Sequence, residues 1–109
     1  MPVKGIALYG VPTRVTADAV IHAAPCRIMA LQLEGGSDAS SMDFHNDIDS
    51  AGGTAIFGIT APFTDADAST QSTVFFDYSE LGGIPFSTGC YVDWTGTGAV
   101  GYVWFAKGV

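Results

Sequence analysis

The stretch "GCYVDWTGTG", residues 89–98, gathers a thiol, a carboxylate, an indole and two glycine-threonine steps, the residue types of a nucleophilic or phosphate-binding site. A thiol nucleophile needs a base and an electropositive setting that favours thiolate. His22 and His45 are the only imidazoles of the chain, and residues 28–106 hold no Lys or Arg while carrying every acid except Asp18. Acidic surroundings raise a thiol pKa and blunt the nucleophile. A phosphate loop places its glycines between a strand and a helix, with a lysine in reach. Here "TGTG" runs into the strand-like "AVGYVWFA" and has no lysine near it. The stretch therefore reads as a turn, Thr95–Gly98, joining strands 90–94 and 100–106 in a hairpin. No catalytic residue and no cofactor is assigned.

Asp43, His45, Asn46, Asp47 and Asp49 form the densest set of metal-type donors. Calcium loops order six to eight oxygens around a sharp glycine turn, and "DFHNDIDSAGG" lacks both that order and a closing glutamate. Zinc needs more His or Cys than this cluster supplies. A solvated polar loop is the expectation, with no metal, and Asp65 and Asp67 in "TDADAS" read the same way. A pair of acids makes a glycosidase only at a defined separation across a sugar cleft. Cys26 and Cys90 are expected to be free and buried in a reducing cytoplasm. Their pairing in an oxidising medium stays open, because sequence does not give the distance between them.

The elements that must carry these residues are strands. The chain has 109 residues, 48% hydrophobic and 12% aromatic, enough for one core and one domain, residues 1–109. Glycines and prolines interrupt nearly every window of helical length, and short alternating runs recur between turn residues. Candidate strands cover 3–10, 14–23, 26–34, a polar run around "SMDFHN", 53–61, 72–78, 83–87, 90–94 and 100–106. About eight strands of this length predict an all-β fold: a single antiparallel β-sandwich with Greek-key or jelly-roll connections. "DASSMDFHNDIDSAGG" is expected to be a surface loop or an edge strand. Within 26–34, alternation assigns Met29, Leu31 and Leu33 to the core and leaves Gln32 and Glu34 wet. Both faces of 100–106 are apolar, so that strand belongs at a sheet centre or meets another chain, and Trp104 reads as core.

Charge excludes several partners. A net charge of -7 repels phosphate backbones and anionic lipid heads, so neither nucleic acid nor a membrane is expected. No run approaches the roughly 18 apolar residues of a membrane span, and the first fifteen residues do not read as a secretory signal. Charged residues make up only 14% of the chain. A surface so poor in charge suits a protein held in an assembly. Interfaces favour aromatics and Arg, which makes Lys4, Tyr9, Arg14, Tyr91 and Trp94 the candidate contact residues.

The segment "YSELGGIPFSTGCYVDWTGTGAVGYVWF" resembles a pattern of small tailed-bacteriophage virion proteins. In it a "GI-x-F-x-x-G" step leads into a "Y-V" strand, a Gly/Thr turn and a closing apolar strand. The matching residues are Gly83, Ile84, Phe86, Gly89, Tyr91, Val92, Gly96, Gly98, Val100 and Val103. "CRIMALQLEGG" and "AIFGITAPFTDADAST" follow a similar upstream rhythm. The resemblance implies a non-enzymatic cement or decoration protein, made in the host cytoplasm and carried on the virion. It would be a homotrimer that binds the major capsid protein on the assembled shell and stabilises the head. The alternative is a tail or fibre module that recognises a host-surface glycan, with Trp94, Tyr91 and Asp93 as its platform.

Overall fold

The computed structural model describes residues 11–36, 39–50, 52, 55–61 and 73–108. Nine strands are placed among them: β1 (Thr13–Val15), β2 (Ala19–His22), β3 (Cys26–Glu34), β4 (Ser40–His45), β5 (Phe57–Ala61), β6 (Thr73–Asp77), β7 (Ile84–Phe86), β8 (Cys90–Thr95) and β9 (Val100–Lys107). The first sheet has the order β1-β9-β3-β6, with β7 also paired to β3, and the second has the order β2-β8-β4-β5. Every pairing is antiparallel. β4 pairs with β5, β3 with β6 and β7, β2 with β8 and β1 with β9, so the chain is a long two-stranded ribbon rolled into a sandwich. That nesting is the connectivity of a jelly roll. The all-β sandwich expected from the turn-bounded alternation is the fold. Among the described residues no helix is long and apolar enough to cross a membrane. The candidate strand 3–10, and with it Lys4 and Tyr9, lies outside the described residues.

The core forms where the inward residues of both sheets meet. Val15, Ile28, Leu31, Leu33, Phe86 and Val103 come from the first sheet, and Met42, Phe44, Ile59, Ala61 and Val92 from the second. Phe44 stacks on Phe57 with ring centroids 4.8 Å apart.

Four expectations change. The candidate strand 14–23 is two strands in different sheets, because the chain turns at Thr16–Asp18 and crosses the sandwich. The Asp18 carboxylate fixes the crossing by accepting the Trp94 backbone N–H at 2.7 Å. The second change concerns Thr95–Gly98, which is a turn but not a hairpin. β8 lies in the second sheet and β9 in the first. Gly96 (φ 141°) and Gly98 (φ 73°) take up the left-handed backbone that carries the chain between layers. Third, the polar run expected as a loop or edge is β4, which lies between β8 and β5. Its alternation decides this: Ser40, Met42 and Phe44 are buried while Ser41 and Asp43 are half-buried on the other side.

The fourth change is in β3. Leu31 and Leu33 are buried and Gln32 and Glu34 half-buried, as alternation requires, but Met29 is not core. Ile28 and Cys26 are fully buried in its place. The pairing with β9 shifts between Ile28 and Ala30, so Met29 is the extra residue of a β-bulge. Its carbonyl accepts the Tyr78 N–H at 2.8 Å. A bulge reverses the phase of the alternation, which is why one strand buries even positions first and odd positions afterwards.

Candidate functional site

Cys90 opens β8 and Cys26 opens β3, both fully buried in the core. Burial pushes the Cys26 thiol above its ordinary pKa. The Cys90 thiol is pushed up further, first by burial and then by its neighbour Cys26. Neither is in the state that attacks an electrophile. The donors around residue 45 disperse. Asp43 sits on β4 opposite Asp93 of β8. The Asp47 carboxylate turns back on its own loop, accepting the amides of Ile48 at 2.7 Å and Asp49 at 3.2 Å. Those two bonds, Asp49 first, hold its pKa below the usual carboxylate value. Among the described residues no three His, Cys, Asp or Glu converge into a metal-binding group. Asn46, singled out at first only as a metal-type donor, works as a clip. Its amide donates to Ser87 Oγ at 3.0 Å and its carbonyl accepts the N–H of Thr88 at 2.8 Å, tying the end of β4 to the β7–β8 loop.

The register of the strands sorts the remaining candidates onto two outer faces. On the first sheet Arg14, Tyr102, Gln32 and Phe75 form one row across β1, β9, β3 and β6. A second row carries Trp104, Ala30 and Asp77. Phe75 is 43% exposed, and its ring meets the buried Trp104 edge-on at 6.0 Å. Trp104 is thus buried as expected, but from the outer side of the sheet. A shallow depression of about 350 Å³ opens there, lined by Pro12, Gln32, Glu34, Tyr102 and Trp104. Gln32 Nε2 donates to Glu34 Oε1 at 3.2 Å and holds that wall in place.

The outer face of the second sheet is acidic. Tyr91 and Asp93 of β8 pair in register with His45 and Asp43 of β4. The Tyr91 hydroxyl is raised above its ordinary pKa, first by desolvation and then by the carboxylates of Asp18 and Asp93. Trp94 follows Asp93 in the strand, and its side chain packs against the core. Tyr91, Asp93 and Trp94 therefore do not share a face. The described basic residues Arg14, Arg27 and Lys107 all lie on strands of the first sheet. Of these Arg27 is engaged, donating to the Gly82 carbonyl at 2.8 Å.

The structure thus pairs Arg14 with Tyr102 and continues the same row through Gln32 to Phe75; neither Tyr102 nor Phe75 stood out in the sequence as a contact residue. Their signal was present in the double apolar face of "GYVWFA" and in the "FF" of β6. No protein-family model, curated protein or solved structure matches the chain.

Proposed function

We propose that this chain is a non-enzymatic virion structural protein of the capsid cement or decoration type, which binds the assembled shell of a tailed phage and stabilises the head. The resemblance of residues 78–105 supplies the class. The observation that carries the docking mode is the unequal treatment of the two outer faces. One presents Arg14, Tyr102 and Phe75 around a shallow depression, and the other presents Asp18, Asp43 and Asp93. Aromatic and Arg side chains are the usual anchors of an interface, and carboxylates are poor ones. The first sheet therefore docks on the major capsid protein and the second faces outward. A protein that binds only the assembled lattice stabilises it by mass action. A homotrimer touching several subunits gains avidity.

A glycan-binding tail or fibre module is the second reading, favoured by the depression whose walls combine Tyr102 and Trp104 with Gln32 and Glu34. Jelly rolls serve both in capsids and in lectins, so the fold does not choose between them. Mixing the protein with empty expanded heads does. Cosedimentation with a raised melting temperature of the heads is the expected result. Failure to cosediment, together with retention on immobilised host-surface glycan, would replace the cement reading with the second one.

A further inference from the structure

We infer that Cys26 and Cys90 are a latent inter-sheet disulfide pair, placed so that oxidation staples the two layers of the sandwich across its core. The inference does not depend on which surface docks or on what it docks to. These are the only two cysteines of the chain. They lie in opposite sheets, Cys26 at the start of β3 and Cys90 at the start of β8, and both are fully buried in the same core cluster.

A chain of contacts places them at one end of the molecule. Cys26 pairs in register with Phe86 of β7, and Cys90 follows Phe86 after the short loop that Asn46 clips to β4. Within the second sheet His22 pairs with Cys90, and across the layers its ring lies 5.1 Å from that of Phe105. Phe105 in turn pairs with Ile28, two residues from Cys26. Cys26 also raises the pKa of Cys90. In the structure both are free thiols.

The reaction is thiol-disulfide exchange with a small-molecule disulfide such as oxidised glutathione. One protein thiolate attacks the glutathione disulfide and releases one glutathione. The second protein thiolate then attacks the mixed disulfide and releases the other. Two protein thiols lose two protons and two electrons, and one glutathione disulfide becomes two glutathione thiols. Burial keeps both thiols protonated and out of reach of solvent, so exchange proceeds through opening of the sandwich and is slow in the native state. The closed loop encloses more than half of the chain, which makes the constraint on the unfolded state large.

A bond forms between any two thiols of an unfolded chain, so the decisive quantity is how folding changes its equilibrium. The purified protein is brought to equilibrium with a series of reduced and oxidised glutathione mixtures, once in buffer and once in concentrated urea. Intact mass and thiol counting after quenching report the oxidised fraction. The expected result is a species lighter by two hydrogens, free of bound glutathione, whose equilibrium constant in buffer exceeds that in urea by about tenfold or more. Its melting temperature then lies above that of the reduced protein. An equilibrium constant that falls on folding, or native protein carrying two separate glutathione adducts, overturns the inference. Cys90→Ser, which keeps Cys26, is the control for adduct formation and for dimers linked between chains.

Discussion

Cys90 holds its proton for the same reason that it cannot act as a nucleophile: the core around it excludes the water that would stabilise a thiolate. The consequence for stability has a definite sign. In the reduced protein the folded-state pKa of both buried thiols is raised, so the native state retains protons that the unfolded chain releases above its own thiol pKa of about 8.5. Stability is therefore fully present below that pH and is lost as pH rises toward the folded-state values. The limiting slope is about 1.4 kcal/mol per pH unit for each proton released on unfolding. Urea unfolding of the reduced protein between pH 7 and about pH 10 is expected to show this decline. Cys90→Ala is expected to remove the Cys90 share of the slope, although it leaves a small cavity that lowers stability at every pH. An unchanged slope in that variant would mean that Cys90 ionises in the native state, against its burial. The blunting of this thiol was legible from its residue type, since Cys is among the most buried residues, but the acids invoked for it in the sequence are not its cause: burial comes first and Cys26 second.

Strand faces are set by alternation, and alternation is only as good as its phase. Leu31 and Leu33 identify the inward side of β3 correctly, but carrying that phase back through the strand assigns Met29 to the core and Ile28 to the outside. The bulge at Met29 inverts the assignment. Two substitutions separate the alternatives. Ile28→Lys places an unpaired ammonium among Phe86, Leu31 and Val103 and is expected to prevent stable folding, since a buried charge without a partner costs several kcal/mol. Met29→Lys lies on the half-buried side and is expected to cost about 1 kcal/mol or less, its stem covering the surface that Met29 covers now. Thermal or urea unfolding of both variants reads the result, and a folded Ile28→Lys with an unfolded Met29→Lys would return β3 to unbroken alternation. The same limit explains what else the sequence withheld at this scale. Residues 95–98 advertise a turn through their glycines. Whether the strands on either side pair or cross depends on which sheet receives Val92 and Val103, and both residues are simply apolar. The alternation of Met42 and Phe44 in β4 was visible but outvoted by the acids and serines around it. The fold class survived these errors because it needs only short strands and frequent turns, whereas the topology needs the partner of each strand.

At the scale of the whole molecule the sandwich is electrically two-sided. The described Arg and Lys residues lie on the first sheet, and Asp43 and Asp93 face one another across β4 and β8 with Asp18 close by. This arrangement works against association through the second sheet, because two copies meeting there would oppose carboxylate to carboxylate with no cation between them. The first sheet also carries acids, Glu34 and Asp77, but Arg14 lies on the same outer face to offset them. It sets Arg14, Tyr102, Gln32 and the half-exposed Phe75 along one row, and its depression lies beside them. Under the docking mode proposed above, truncating that row should weaken binding to expanded heads while neutralising the opposite face should not. Phe75→Ala and Arg14→Ala are the variants of choice, since Phe75 is 43% exposed and Arg14 is exposed, so neither removes core. A loss of about tenfold or more in affinity is expected for at least one of them, the scale of a residue that anchors an interface. Asp43→Asn and Asp93→Asn on the second sheet should bind heads with nearly unchanged affinity, and relief of their mutual repulsion should leave the fold at least as stable. Unchanged melting temperatures in the first pair separate lost contact from lost structure. If the asparagine variants lost binding and the alanine variants kept it, the acidic face would be the docking surface, and its carboxylates would require a basic ring on the capsid.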